Sequence, residues 1–491
     1  MERKLPWYTH LAINSYSLGL NISSGSTPVL LPFLIVMYMP ADYKNTYLAT
    51  IRVVGLAIAM LVQPLAGYLS DRSQSRFGRR RPYIFVSAVL NVVCLAIMGA
   101  STLFVNSPLD STFQAAFGVS AAFAVLFLGN MLQQISSNIG QGPLQGLIPD
   151  LVPESQRGFS SGVKSTFEVL PILLLIVIGP LVQAGKIWLV VGIIMAGFLL
   201  TMAFTIFFVK ETPNPVPPTA SLREPVLRLV ALTVIFVAIT QAAVWFVGFS
   251  SGQLVQAGAS QATQVIVVGL AGLAGMAGSI FLGVYSGARM GIGAEAKKQG
   301  PFIWWIVNRL LFLAAVTGVR DFAQNYLRDV IKVDNPAAAS SFLLAAIGVF
   351  LVIAALVGGY LSDRLGRRRL IAIAGVIAGL GAIVILFARS MPMVYVAGGI
   401  VGLGAGLFMA SNWALGTSLV PPAEAGKYLG ISNLAGAGAG IVATGIGGPM
   451  IDSFNKLTPG TGYLVVFAIY AALFFLSVII LSRVKPPAAV S

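Results

Sequence analysis

The six residues GYLSDR occur twice in this chain, at residues 67–72 and 359–364, 292 positions apart. Each copy closes a long apolar run, meets a cluster of arginines within a few residues, and is followed by another apolar run. The first stretch reads GYLSDRSQSRFGRRRP over residues 67–82 and the second GYLSDRLGRRR over 359–369. Such a cluster cannot lie in hydrocarbon, where a single central arginine costs roughly 2.5–3.5 kcal/mol. Each copy is therefore a short turn at a membrane face, and its arginines mark that face as cytoplasmic. A matched pair of such turns implies a chain built from two similar multi-span halves.

Composition agrees. Of 491 residues, 57% are hydrophobic and only 10% charged, where a soluble globular protein carries about 25% charged residues. A span needs roughly 20 apolar residues. Such runs fall at 11–38, 47–70, 83–105, 113–139, 160–184 and 187–209, the fourth continuing as a helical or broken extension to Asp150. A Pro-rich linker follows at 209–225. Two further runs, 226–249 and 263–287, have no counterpart in the first half and form an extra helical hairpin. Six more lie at 302–328, 338–361, 370–388, 393–417, 428–450 and 462–482, which makes fourteen spans and puts both termini in the cytoplasm. The N-terminal MERKLPWYTH carries no signal-peptide cleavage pattern. The expected organisation is an N-terminal six-helix half (1–210), a linker with the inserted hairpin (211–300), a C-terminal six-helix half (301–485) and a short tail (486–491). A second internal match, DLVPESQRGFSSG at 150–162 with SLVPPAEAGKYLG at 418–430, supports the repeat.

The net charge of +15 does not indicate nucleic-acid binding, because most of the basic residues cluster on the expected cytoplasmic side, beside an anionic leaflet. The lone Cys94 and the lone His10 exclude a disulfide framework and a metal cluster. No nucleotide-binding motif accompanies the glycine clusters at 269–278 and 433–448, which suit close helix packing. No catalytic residues, no metal and no cofactor are expected, so the chain is not read as an enzyme.

The two loops resemble the signature loop of the major facilitator superfamily of secondary transporters, which lies between the second and third spans of each half. The resemblance implies an all-α membrane protein of two parallel six-helix halves, here with the inserted two-helix hairpin, working by alternating access. It also implies that Asp71 and Asp363 sit against a helix N-terminus of the other half, where the helix dipole favours a carboxylate. Arg72, Arg79, Arg80, Arg364, Arg367 and Arg368, with the loop glycines Gly78 and Gly366, would complete a cytoplasmic gate. Asp150 or Glu154 suits the first loop as acidic partner, and Glu211 the second. The first copy departs from the pattern by four residues, SQSRF standing where the second has Leu365. That longer form, SDRSQSRFGRRRPYI over 70–84, is similar to the one in sucrose–proton and glycoside–cation symporters. This similarity implies a sugar or glycoside as the small-molecule substrate and a proton or sodium ion as driver, in a monomeric protein of the cell (inner) membrane. An exporter of amphipathic drugs or lipids, and a pigment- or lipid-handling factor on the same scaffold, are the alternatives.

Few ionisable groups fall inside spans, and each is a functional candidate. Glu168 lies about ten residues into the fifth span, with Lys164 one turn earlier on the same face. The pair either carries the coupling ion or merely neutralises itself. Arg52 in the second span and Asp321 in the first span of the second half lie at similar depth, and the resemblance implies an outer gate between them. Arg320 and Arg328 are competing partners for Asp321. Asn14, Asn21, Ser24, Gln133, Gln134, Asn138, Asn308, Asn412 and Trp413 are polar or aromatic residues in spans. They suit either sugar hydroxyls and a stacked pyranose ring or ordinary interhelical hydrogen bonds.

Overall fold

A computed structural model describes residues 4–211, 223–292, 299–419 and 425–484, apart from the side chains of 291, 292, 363, 417 and 425–435. Most of the 209–225 linker, and the side chains of the 418–430 match beyond Leu419, lie outside the described residues. Among the described residues there are sixteen α-helices and no strand. In order they are α1 (Trp7–Tyr38), α2 (Lys44–Asp71), α3 (Arg81–Ala100), α4 (Pro108–Phe117), α5 (Ala121–Leu151), α6 (Arg157–Val169), α7 (Pro171–Gln183) and α8 (Ile187–Phe208). Then follow α9 (Arg223–Gln256), α10 (Gln261–Ile292), α11 (Gly300–Tyr326), α12 (Pro336–Leu365), α13 (Arg367–Phe387), α14 (Met391–Ser418), α15 (Ala425–Leu457) and α16 (Thr461–Leu481). Twelve helical stretches among the described residues are long and apolar enough to cross a membrane, and α4 with α5 qualify together. Every expected span coincides with a helix or a helix pair.

Two local departures have clear causes. The expected fourth span begins too early: residues 113–117 belong to α4, which is bent 84° from α5. Gly118 makes the corner at φ +68°, a left-handed conformation that costs glycine little. Ser120 and Ala121 donate to Asp110 Oδ1 at 2.8 Å each, pinning α4 to the start of α5. The Ser120 hydroxyl, with the backbone N–H groups of Ala121, Asn106 and Ala122, holds the Asp110 carboxyl below its usual range. Further on, α5 runs unbroken to Leu151 despite Pro143 and Pro149 inside it. The expected fifth span divides into α6 and α7, but Leu170 between them keeps helical dihedrals of −50° and −38°. Pro171 interrupts only the hydrogen-bond ladder there.

The helices cluster into two compact units, one of Met1–Pro40 with Ile58–Leu229 and the other of Ala41–Ala57 with Val230–Ser491. In the first unit α3 packs on α5 and α8, and α1 on α8, α6 and α7. In the second, α14 packs on α12 and α13, and α11 on α16 and α15. From Val230 onward the hairpin α9–α10 belongs to the second unit, with α10 lying along α15, α11 and α16. Phe236 of α9 is 5% exposed and wedges between two helices through their glycines. A Cβ at Gly283 of α10 would come within 2.3 Å of its ring, and one at Gly438 of α15 within 2.5 Å.

The glycines of α15 also seat the first half of α2. A Cβ on Gly448 would meet the Asn45 carbonyl oxygen at 2.5 Å and the Ala49 Cβ at 2.6 Å. Close backbone approach of this kind is what small residues allow between spans, where no hydrophobic drive exists. Gly448→Val should therefore lower the melting temperature of the detergent-purified protein by several degrees, since overpacking costs about 1–3 kcal/mol. Gly436→Ala on the same helix, where a Cβ meets nothing within 4 Å, should leave it unchanged. Equal melting of the two variants would show that α15 and α2 are not in register as described.

Candidate functional site

The first basic loop joins α2 to α3 and is a closed ion network. Arg80 is 6% exposed. Its guanidinium reaches Asp71 at 2.5 Å, Asp150 Oδ2 at 3.0 Å and Ser70 Oγ at 2.6 Å. Gly146 of α5 makes room, since a Cβ there would lie 2.4 Å from Arg80 Nη2. Arg79 pairs with the same Asp150, its Nε donating at 3.1 Å. Asp150 is thus the acid that these arginines reach, and Glu154 pairs with none among the described residues. Arg72 lies where the loop leaves α2.

Glu211 was expected at the second loop and stands at the first. Its Oε2 accepts from the backbone N–H groups of Arg80 and Arg81 at 2.9 and 3.0 Å. These are orphan donors at the start of α3, the place where a carboxylate is most favoured. The reason is topological: α8 packs beside α3 and ends at Phe208, which delivers Glu211 onto that N-terminus. Gly78 is required on two counts, its φ of +101° and the Glu211 carboxylate 2.3 Å from where a Cβ would be. Arg81 adds a bond to the Ile206 carbonyl at the end of α8.

The second loop uses its arginines differently. Arg367 Nη1 donates to the Ala414 carbonyl at 2.9 Å and Arg368 Nη2 to the Ser482 carbonyl at 3.1 Å. Arg364 stacks over Tyr360 at 4.4 Å, and Gly366 turns the chain at φ +83°. Both carbonyls sit at or near helix C-termini, where cations are favoured. In the internal match Ser418 stands where the first half has Asp150, so the acid that Arg79 and Arg80 share has no counterpart at that position. The Asp363 side chain lies outside the described residues.

At the opposite end of α2 the second unit holds its densest charge cluster. Arg52 and Asp321 form a bidentate pair, Nε to Oδ2 at 2.8 Å and Nη2 to Oδ1 at 3.0 Å, with Asp321 2% exposed. Arg320 Nε also reaches Asp321 Oδ1, at 3.1 Å. Lys44 pairs with Asp329 at 2.6 Å. Tyr463 donates to the same Asp329 at 2.6 Å and accepts from Asn45 Nδ2 at 3.1 Å. Asp452 of α15, 4% exposed, accepts from Thr46 N and Thr46 Oγ1 at 2.7 Å each and from Asn45 Nδ2 at 2.8 Å. It caps the N-terminus of α2 from 400 residues away in sequence. Lys44 and Asp452 drew no attention in the sequence because both fall at span ends, where charges are ordinarily solvated.

The polar residues of the spans divide into engaged and available groups. In the first unit Asn14 is spent on His10 and Ser160, at 2.9–3.2 Å. Gln133 bridges Ser23 and Ser137 at 2.8 and 3.3 Å, and Ser137 continues to Asn91 at 3.2 Å. Asn21 and Asn138 donate only to carbonyls of their own helices, at 2.8 Å each. Gln134 is partly exposed and Ser24 exposed. Lys164 and Glu168 face each other at 3.7 Å on an exposed stripe of α6. In the second unit Asn308 donates to the Ser477 carbonyl at 2.8 Å and accepts from Asn412 at 3.2 Å, and both amides are fully buried. Asn412 Oδ1 in turn accepts from Arg309 Nη1 at 3.1 Å, with Trp413 beside it. Arg309 is the residue of this group that the motif reading passed over, although it is the one charge in the apolar stretch 302–319.

The sequence matches the profile of the Major Facilitator Superfamily over residues 16–320 and 310–491. The chain belongs to that superfamily. Among curated relatives, the sucrose transport protein SUC3 of Arabidopsis thaliana is 29% identical over 181 residues, 32% of this chain and 30% of the relative. The sucrose transport protein SUT1 of Oryza sativa subsp. japonica is 32% identical over 112 residues, 22% of this chain and 21% of the relative. The matches therefore span about a third or less of those relatives. Among solved structures, the peptide transporter POT superposes with a TM-score of 0.66 at 15% identity, covering 97% of this chain and 95% of that one. The nucleoside transporter NupG does so at 0.61 and 12%, covering 97% and 100%. These neighbours share the fold, and all are transporters rather than enzymes.

Within this major facilitator fold the Arg52–Asp321 pair is the natural target for charge exchange. Breaking a buried pair costs about 3–5 kcal/mol because one charge is left unmatched. Arg52→Asp or Asp321→Arg alone should abolish transport, and the double exchange should restore a measurable fraction of it. A double variant that inserts correctly and stays inactive would show that the pair has a role beyond matching charge.

Proposed function

We propose that this protein is a cation-coupled importer of a sugar or glycoside, working by alternating access in the cell (inner) membrane with both termini in the cytoplasm. The sequence similarity to plant sucrose transport proteins carries the reading. The chemistry of the first unit supports it. Amides and hydroxyls of α1, α3 and α5 form a continuous web through Ser23, Gln133, Ser137 and Asn91, and leave Gln134 and Ser24 with accessible polar groups. A purely amphipathic substrate has no use for such groups, whereas each sugar hydroxyl both donates and accepts.

Coupling is assigned to Glu168 with Lys164. Their separation of 3.7 Å is that of a loose pair, and both side chains are partly exposed, so the carboxylate is reachable and not locked to the lysine. The Arg52–Asp321 pair and the Asp71–Arg80–Asp150 network act as the locks at the two ends of the span layer. Arg72, Asp363 and the second loop arginines belong to the same cytoplasmic apparatus.

Proteoliposomes with an imposed inside-alkaline pH gradient should accumulate radiolabelled sucrose, and the protonophore-treated control should only equilibrate. Glu168→Gln should lose accumulation yet keep at least half of the counterflow exchange. Absence of sugar uptake alongside translocation of a lipid or a cationic dye would overturn the sugar reading. Accumulation that survives Glu168→Gln would move the coupling site elsewhere.

A further inference from the structure

Arg309 lies nine residues past the start of α11, about 14 Å into the span at 1.5 Å per residue. Other basic groups inside spans have an acid beside them: Arg52 and Arg320 have Asp321, and Lys164 has Glu168. Arg309 pairs with no carboxylate among the described residues. Instead its guanidinium lies 5.1 Å from the ring centre of Trp413 and 5.9 Å from that of Trp305. One nitrogen, Nη1, donates to Asn412 Oδ1 at 3.1 Å. Its Nε is buried with no hydrogen-bond partner.

The surroundings hold the group in place without neutralising it. Ring faces attract a cation through their quadrupoles, and an amide oxygen accepts one hydrogen bond, but neither carries charge. Asn412 is itself fixed by Asn308, which is fixed by the Ser477 carbonyl. Trp305 is fixed by donating to the Asn412 carbonyl at 3.0 Å and by a slot over Gly416, where a Cβ would lie 2.0 Å from its ring. Trp413 remains 37% exposed, so this rigid assembly is reachable from outside the helix packing. With Nη1 taken by Asn412, the edge formed by Nε and Nη2 is left over. That edge is the fork that matches a carboxylate or phosphate with two parallel hydrogen bonds.

We propose that Arg309 is the binding point for an anionic group, a carboxylate or phosphate, carried by the transported solute. The inference rests on the transporter reading above and adds to it a preference, over neutral sugars such as sucrose, for a glycoside that carries an acidic group, such as a glycuronide or a sugar phosphate. Trp413 then serves as one wall of the cation site, with Arg309 over its face, rather than as an open platform for a pyranose. Asn308 and Asn412 are positioning residues, since their side-chain polar atoms are engaged in aiming Arg309.

The test uses the full chain in phosphatidylcholine nanodiscs, with binding read by calorimetry for methyl β-glucuronide, glucose 6-phosphate and the neutral methyl β-glucoside. At least one acidic ligand should bind tenfold or more tightly than the neutral one, and that preference should weaken with added salt. Arg309→Gln should erase the preference and leave weak neutral binding. Asn412→Asp is the control for folding: it is nearly isosteric and supplies an internal carboxylate to Arg309, so it should erase the preference with the arginine intact. Equal affinity for neutral and acidic ligands, or a preference that survives both variants, would overturn the proposal. Arg309-dependent binding of inorganic phosphate with no binding of any sugar would keep the anion site and discard the glycoside. Stabilisation seen only when phosphatidylglycerol is added, with no soluble anion binding, would assign the arginine to a lipid headgroup and overturn its role in substrate recognition.

Discussion

A charge carried into hydrocarbon must be met there, because water is not present to solvate it, and this constraint shapes the protein more than any contact between apolar side chains. Arg52 and Asp321 meet it by a bidentate pair at 2.8 and 3.0 Å. Asp452 meets it by capping α2, so that one carboxylate satisfies Thr46 twice and Asn45 once at 2.7–2.8 Å. The same requirement falls on the backbone. Glu211 supplies acceptors to the start of α3, and the second-loop arginines supply donors at the ends of α14 and α16. Charges and helix termini are thereby matched by groups brought from distant parts of the chain, which ties helix placement to electrostatics.

The two halves solve the same local problem unequally. The hexapeptide at 67–72 and 359–364 is identical, yet among the described residues one loop is an acid–base network and the other a set of arginine–carbonyl bonds. At equivalent places of the internal match the first half has Asp150 and the second Ser418. Glu211 then adds to the imbalance, since α8 leads it to the first loop. The first loop is correspondingly the better shielded, with Arg80 buried while Arg367 remains exposed.

Much of this was legible in the sequence. Apolar run length anticipated a helix or helix pair at each expected span, and twelve helical stretches plus the bent pair α4–α5 are long and apolar enough to cross a membrane among the described residues. Arg52 stood out as an isolated charge in a run of apolar residues, and Asp321 as an acid inside a span, although Arg320 beside it in sequence competed as its partner. The partner of Glu211 was not legible, because it depends on where α8 ends relative to α3 and not on nearby residues. Lys44, Asp329 and Asp452 were hidden for another reason. At span ends a charge facing water and a charge buried in a network look alike in one dimension. Arg309 was hidden because its stabilising partners are rings and amides, which carry no sign to match against its own.

The corner at Gly118 offers a vertical scale. Leu109, Phe113 and Phe117 recur every fourth residue along α4 and are all exposed, with exposures of 58%, 37% and 68%. A short helix with such a stripe, turned 84° from α5, fits the boundary between headgroups and acyl chains. It would ride there as a float, with the lipid surface drawn level with Ser120. Descending α5 at 1.5 Å per residue, half of a hydrocarbon core about 30 Å thick is crossed near Asn130. The amides Asn130, Gln133 and Gln134 then begin at the midplane, the depth furthest from water on either side, where a polar side chain depends most on partners supplied by the protein, as Gln133 does on Ser23 and Ser137.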